Sequence, residues 1–113
     1  MLTLYGIKNC DTVKKARLWL EAQSIAYRFH DFRKDGLDLG QLERWEAELG
    51  WEALLNKRGT SWRKLEESQR EGVDRAKALG LMLAQPSLIK RPVLETGNKT
   101  LIGFIPEDYA KEL

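Results

Sequence analysis

Two short stretches near the start of the chain alternate between hydrophobic and polar residues. The first covers residues 2–5 and ends at Gly6, and the second covers residues 25–32, where the large apolar side chains fall on one face. Strict alternation over a few residues is typical of a half-buried β-strand. The pattern therefore predicts two strands in the first third of the chain.

Between these strands the apolar residues recur at helical spacing. A helix is predicted from Cys10 or Asp11 to about Gln23. Its buried face is expected to hold Val13, Ala16, Trp19 and Leu20. A strand, a helix and a strand within about 30 residues form a βαβ unit, whose crossover makes the two strands parallel.

The middle of the chain, from residue 37 to about residue 84, has helical patterns. Asp38 followed by Gln41 resembles a capping box, and Gly50 is a typical end for the helix that starts there. Short helical pieces flank Gly59, and a longer amphipathic helix precedes Pro86. The predicted apolar face of that longer helix consists of Val73, Ala76, Leu79, Met82 and Leu83.

The last part of the chain returns to strands. The segments RPVLET and KTLIGF are separated by Gly97 and Asn98, a plausible hairpin turn, and a terminal helix is expected near Pro106. The order is βαβ, several helices, then ββα. It predicts a single α/β domain over residues 1–113, with a helical insertion at about 37–84.

Composition and charge narrow the function classes. The 113 residues are 42% hydrophobic and 32% charged, which is typical of a soluble globular protein. The sequence lacks the run of about 18 apolar residues that a membrane span needs, so we expect a cytoplasmic protein without a membrane partner. The formal net charge of +2 is too even for a protein that coats nucleic acid, so no nucleic-acid partner is expected.

Cys10, the single cysteine, lies where the first strand passes into the first helix. One cysteine forms neither an internal disulfide nor a cysteine-based metal site, so no metal is expected. A helix N-terminus favours the reactive thiolate, and Lys8 and Lys14 add positive charge. The alternative is a small buried hydrophobic residue. Because ligands bind at the carboxyl ends of strands in α/β sheets, the position favours a reactive thiol.

Two further polar residues, Asp11 and Thr12, bear on this thiol, and the single histidine is a third candidate. Asp11 opposes a thiolate if its carboxylate faces the sulfur, although it also suits the first turn of a helix. Thr12 offers a hydroxyl that can hydrogen-bond a thiolate or a bound thiol. His30, the only histidine, is interpreted as a half-exposed strand residue rather than a base, because nothing in the sequence places it near Cys10.

Two basic segments carry candidate anion-binding side chains. Lys57 and Arg58 lie in one, and Lys90 and Arg91 lie in the other. Each pair alone is typical of surface charge, but beside a thiolate the two pairs fit a pocket for a carboxylate or oxyanion. Pro92 begins a strand, where an edge position or a cis peptide bond is expected besides the more frequent trans bond.

The segments YGIKNCDTVKKA, LLNKRGTSWRKL and LIKRPVLE resemble the arsenate reductase (ArsC) and Spx superfamily, and most of all its YffB group. The resemblance covers nearly the whole chain. It implies a thioredoxin-like fold with a helical insertion between its halves. It also implies a nucleophile at Cys10, an oxyanion-binding arginine at Arg91 and a cis proline at Pro92.

The chain departs from its relatives at several motif positions. Asn9 is retained before the cysteine, but the segment KNCDT lacks the glycine and proline of arsenate reductases. Asn56 and Phe104 stand where those enzymes carry arginines, which leaves Arg58 as a shifted substitute. Val13 stands where redox-switching Spx proteins carry a second cysteine. These departures argue against arsenate reduction and exclude an intramolecular thiol switch.

The resulting prediction is a glutathione-dependent thiol/disulfide reductase that binds no cofactor. The single cysteine would attack a small-molecule or protein disulfide, and glutathione would resolve the mixed disulfide. The expected substrate- and glutathione-binding residues are Lys8, Asn9, Asp11, Thr12, Arg58, Arg91 and Pro92. Two alternatives stay open, namely a non-enzymatic Spx-like regulator that binds RNA polymerase, and an arsenate reductase coupled to glutathione or glutaredoxin.

Overall fold

The computed structural model describes residues 2–113, and the chain divides into two compact units. The first unit contains the chain up to Gly36 together with Arg91–Leu113, and the second contains Leu37–Lys90. The second unit includes the helical insertion expected at about 37–84. The assignment of residues 1–113 to a single domain stays a prediction.

The first unit contains a four-stranded sheet, counted over the described residues. Its strands are β1 (Leu2–Gly6), β2 (Tyr27–Asp31), β3 (Val93–Glu95) and β4 (Thr100–Ile102), in the order β2-β1-β3-β4. β1 and β2 are parallel, whereas β3 is antiparallel to both β1 and β4. The predicted βαβ unit and hairpin are therefore confirmed, although β2 is shorter than the predicted stretch 25–32.

Two helices of the first unit cover a shared apolar core. They are α1 (Asp11–Ala22) and α8 (Pro106–Glu112), and both begin where the sequence predicts. The core cluster consists of Leu4, Ala16, Leu20, Leu94 and Tyr109. Burial of these side chains supplies the main hydrophobic stabilisation of the unit.

A short helix that the sequence did not predict, α2 (Phe32–Asp35), follows β2 directly. The carboxylate of Asp31 caps it, since Oδ1 accepts a hydrogen bond from Arg33 N at 2.9 Å. Gly36 ends the helix with a φ of 77°. The capping residue is also the last residue of β2, so the strand passes into the helix without a loop.

The second unit is helical. Its helices are α3 (Leu39–Leu49), α4 (Trp51–Leu54), α5 (Thr60–Arg63), α6 (Glu67–Arg70) and α7 (Arg75–Ala84), followed by a 3-10 turn at Pro86–Leu88. Asp38 caps α3 as predicted, accepting from Gln41 N at 2.7 Å, and Gly50 ends it with a φ of 88°. None of the helices within residues 2–113 combines the length and apolarity that a bilayer crossing requires.

The predicted apolar face of α7 is partly wrong. Val73 precedes the helix, and Ala76 is exposed, whereas Ala78, Leu79 and Met82 are buried. The helix begins at Arg75, after the cap Asp74, whose carboxylate accepts a hydrogen bond from Lys77 N at 2.9 Å. Its buried side is centred on Ala78 and Met82, and Ala76 lies off that side.

Candidate active site

Cys10 is the residue that caps the N-terminus of α1, and it is half-buried. Its backbone N–H donates to the carbonyl of Ile7 at 3.2 Å, and its own carbonyl accepts from Lys14 N at 3.0 Å. The side chain makes no capping hydrogen bond. The turn thus holds the backbone of Cys10 at the positive end of a twelve-residue helix while its thiol takes no part in the cap.

The loop that carries Cys10 is bounded by a close contact between β1 and α1. A Cβ atom on Gly6 would lie 2.7 Å from Cγ2 of Val13, which is shorter than side-chain carbons tolerate. Val13 is fully buried, so it has little room to move away. A glycine is therefore required where the strand passes under the first turn of the helix.

The other predicted residues of this loop are exposed. Lys8 and Asn9 lie in the turn between β1 and α1, and Asp11 and Thr12 lie in the first turn of α1. The exposure of Asp11 leaves its carboxylate hydrated rather than buried. All four side chains are accessible to a molecule that approaches the thiol.

Arg91 and Pro92 lie at the same end of the sheet as the Cys10 loop. The Arg91–Pro92 peptide bond is cis, which confirms what the family resemblance implies. Val93, the first residue of β3, is paired with Tyr5 near the carboxyl end of β1. The antiparallel register therefore brings the start of β3 beside the end of β1, where the Cys10 loop begins.

The burial of Arg91 and Pro92 differs. Pro92 is buried, and its carbonyl accepts a hydrogen bond from Gly103 N at 2.8 Å. Arg91 is half-buried, with its Nε atom shielded from solvent. A partly buried guanidinium is already confined, so it loses less side-chain entropy when it binds an anion than a fully exposed one.

In the second unit, the segment with Lys57 and Arg58 pairs with the segment that ends at Lys90. Asn56 N donates to Leu88 O, and Lys90 N donates to Leu54 O, both at 2.8 Å. Leu55 and Ile89 form an antiparallel bridge between the same two stretches. The paired stretches contribute to a concave site of about 350 Å³, the basic pocket, lined by Glu52, Leu55, Asn56, Lys57, Arg58 and Lys90.

Asn56 shapes the turn that carries the cations of the basic pocket. Its Oδ1 accepts a hydrogen bond from Arg58 N at 3.1 Å. A Cβ on Gly59 would lie 2.8 Å from Asn56 Nδ2, so the turn is closely packed. The carbonyl of Arg58 also accepts from Arg63 Nη2 at 2.8 Å. Asn56 thus has a structural role in this turn.

Two tryptophan rings lie near the ammonium of Lys57. Its Nζ lies 5.8 Å from the ring centre of Trp51 and 5.6 Å from that of Trp62. Both distances are within the range of cation–π attraction. No local sequence pattern predicts this arrangement, because α4, the following turn and α5 each contribute one of the three residues.

The structure thus divides the predicted site residues between the units. Cys10, Arg91 and Pro92 belong to the first unit, and Arg58 belongs to the second. His30 lies on β2, where its Nε2 donates to the carbonyl of Gly36 at 2.7 Å. Among residues 2–113, no group of three or more histidine, cysteine, aspartate or glutamate side chains is placed to hold a metal ion.

Comparisons with known proteins agree with the motifs. The protein-family model described as "ArsC family" matches residues 5–112 of this chain. An uncharacterized protein of Haemophilus influenzae is 49% identical over 96% of this chain and 96% of its own length. The global transcriptional regulator Spx of Streptococcus mutans is 26% identical over 99% of this chain and 88% of its own.

The fold of this chain matches that of a solved structure. A protein named YFFB superposes with a TM-score of 0.95 at 57% identity, covering 98% of this chain and 97% of the other. The match confirms the expected likeness to the YffB group. It also confirms the thioredoxin-like fold that the motifs implied.

Proposed function

This chain belongs to the ArsC family, and from that premise we propose that it is a glutathione-dependent thiol/disulfide reductase with Cys10 as its nucleophile. One observation carries the proposal: β3 begins directly after the cis Arg91–Pro92 bond, and its first residue is paired with Tyr5 near the end of β1, which leads into the Cys10 loop. The family includes arsenate reductases, which supports thiol-based reduction as the general chemistry. The Spx relatives make a regulator the second candidate.

The proposed reaction has two exchange steps. First, the Cys10 thiolate attacks the glutathione sulfur of a mixed disulfide, so that a new S–S bond forms and the substrate sulfur leaves as a thiolate that takes a proton from water. Next, the thiolate of a second glutathione attacks the glutathione sulfur bound to Cys10. This step releases oxidised glutathione and restores the Cys10 thiolate. Glutathione is the reductant, and no bound cofactor is needed.

Other residues are proposed to bind the peptide portion of glutathione. Lys8, Asn9, Asp11 and Thr12 surround the thiol on exposed loop and helix positions, where backbone amides are available as donors. Arg91 is proposed to bind a carboxylate beside Cys10. Arg58, which lies with two other cations in the basic pocket of the second unit, is proposed to bind a carboxylate through bidentate hydrogen bonds.

The proposed partners are glutathione and a small-molecule or protein disulfide in the cytoplasm. Turnover of a glutathionylated substrate in the presence of reduced glutathione tests the proposal. Cys10→Ser is expected to abolish turnover, since serine is a poor nucleophile at neutral pH. A matched control, Cys10→Ser combined with Ser68→Cys, keeps one thiol at an exposed position of α6 and is expected to stay inactive. Unchanged activity in Cys10→Ser would overturn the proposal.

The likeness to Spx over 99% of the chain favours a non-enzymatic binding module as the second candidate. This candidate predicts that the immobilised protein captures purified RNA polymerase equally well with and without Cys10. Failure of both forms to bind would exclude it.

Arsenate reduction has less support. The resemblance aligns Asn56 and Phe104 with two arginines of arsenate reductases. Asn56 takes part in a turn, and the ring of Phe104 packs edge-on against that of Tyr109, with 4.9 Å between the ring centres. Neither residue supplies a cation. Arsenate turnover coupled to glutathione would revive this function.

A further inference from the structure

The first unit carries a depression that the proposed function, apart from Lys8, does not use. It has a volume of about 240 Å³ and is lined by Lys8, Arg17, Phe29, Asp31, Lys34 and Asp35. We refer to it as the mixed-charge pocket, because it combines three cations, two carboxylates and one aromatic ring. It borders the Cys10 loop, since Lys8 lies only two residues before the thiol.

Arg17 is held in place within this pocket. Its Nε donates to the hydroxyl of Tyr27 at 3.0 Å, and its guanidinium carbon lies 4.2 Å from the ring centre of Phe29. The Tyr27 hydroxyl in turn donates to Glu21 Oε2 at 2.9 Å. A guanidinium held on one edge and one face is preorganised, so binding a carboxylate costs it little additional side-chain entropy.

The two carboxylates are also positioned by the fold. Asp31 Oδ1 accepts from Arg33 N at 2.9 Å, and Asp35 Oδ2 accepts from Asp31 N at 3.2 Å. A carboxylate accepts about four hydrogen bonds, so each retains capacity for an ammonium group. Both acids therefore lie in the pocket at positions fixed by the start of α2.

Adjacent cations and carboxylates select a particular ligand charge. A simple anion meets repulsion from the two aspartates, and a simple cation meets repulsion from the lysines and the arginine. A zwitterion satisfies both groups, with its carboxylate toward the cations and its ammonium toward the acids. The free amino-acid end of a peptide, where the ammonium and the carboxylate share one carbon, has this chemistry.

We propose that the mixed-charge pocket binds the zwitterionic amino-acid end of the thiol co-substrate, which in glutathione is the γ-glutamyl residue. This inference rests on the proposed function. Lys8 and Cys10 are separated by at most about 7 Å of extended backbone, comparable with the length of the γ-glutamyl arm. The glycine end of glutathione carries a carboxylate without an ammonium group, so it would leave the two aspartates of this pocket unmatched.

The test compares two disulfides that differ only in the ammonium group. Oxidised glutathione and the disulfide of glutaryl-cysteinyl-glycine, which lacks that ammonium, are each mixed with the protein at one ionic strength. Intact mass follows the formation of the Cys10 mixed disulfide. The wild-type protein is expected to react about three- to tenfold faster with oxidised glutathione, as partly exposed ion pairs allow.

Variants assign this preference to the pocket. In Asp31→Asn/Asp35→Asn the rate ratio is expected to fall to about one, because the amides keep the acceptors of the α2 cap but lose the charges. Asp108→Asn, which removes an exposed carboxylate of α8 outside the pocket, is expected to keep the preference. Equal rates in the wild type, or an unchanged ratio in the double variant, would overturn the inference. Absence of any mixed disulfide with either probe would instead refute the proposed function.

Discussion

Gly6 and Val13 approach so closely that a Cβ atom on Gly6 would lie 2.7 Å from Val13 Cγ2. The contact joins the end of β1 to the first turn of α1, and the loop between them carries Cys10. Both residues are buried. The loop that carries Cys10 is therefore anchored to the core on both sides, by Gly6 before it and by Val13 after it.

Gly6→Ala is expected to lower the free energy of unfolding by about 1–3 kcal/mol, because the added methyl group overpacks a fully buried valine. Urea denaturation measures the change. The matched control is Gly80→Ala in α7, where a Cβ would meet no atom within 4 Å. That substitution is expected to raise stability by about 0.5–1 kcal/mol, since alanine favours a helix more than glycine does. Equal effects of the two substitutions would contradict the role given to the Gly6 contact.

Arg58→Gln is expected to raise the KM for glutathione by about three- to tenfold, because the basic pocket loses its bidentate donor. The kcat should change less, since Arg58 is not proposed to contact the reacting sulfur atoms. Steady-state kinetics measure both constants. Arg70→Gln removes the same charge from an exposed position of α6, and it is expected to leave the KM unchanged. A similar KM in both variants would argue against the basic pocket as a carboxylate site.

Arg91→Lys is expected to lower kcat/KM by about tenfold, because an ammonium does not reproduce the planar pair of donors of a guanidinium. The matched control is Arg33→Lys, an exposed position in α2. Full activity in Arg91→Lys would show that only positive charge is needed there, or that the residue does not contact the substrate.

The raised pKa of Tyr109 predicts that the protein becomes less stable at alkaline pH. Burial raises the pKa of its phenol above the ordinary value of about 10. The unfolded chain therefore ionises this group first, so its contribution is complete below about pH 10 and decreases as the pH rises further. The expected slope is at most about 1.4 kcal/mol per pH unit.

Denaturation at several pH values measures this slope, and Tyr109→Phe should remove most of it. The same variant should cost about 0.5–1.5 kcal/mol at neutral pH, because the hydroxyl donates to Gly103 O at 3.3 Å. Tyr27, whose pKa is also raised chiefly by burial, is only half-buried. Tyr27→Phe should therefore reduce the slope less than Tyr109→Phe does, and the reverse order would contradict this reading.

Local patterns predicted most of the element order. The start of α1 beside Cys10, the cap at Asp38 and the terminal helix at Pro106 depend on neighbouring residues alone, so the sequence suffices for them. The exposed position of Ala76 was missed because packing against α3 and α4 selects the buried side of α7, and such packing has no local pattern.

The candidate site was predictable only in part, because local patterns identify single residues but not contacts between distant parts of the chain. Cys10 and Arg91 could be selected by their residue types and motifs. The pairing of Asn56 with Leu88, which forms the basic pocket, joins positions 32 residues apart in the chain and has no local pattern. The mixed-charge pocket likewise depends on Arg17 folding against Phe29 across two elements.

The most direct test of the central claim is the intact mass of the protein after incubation with oxidised glutathione at neutral pH. We expect one glutathione adduct, its absence in Cys10→Ser, and its removal by reduced glutathione with return of the free thiol. An unmodified protein, or an adduct that reduced glutathione fails to remove, would contradict catalysis by Cys10.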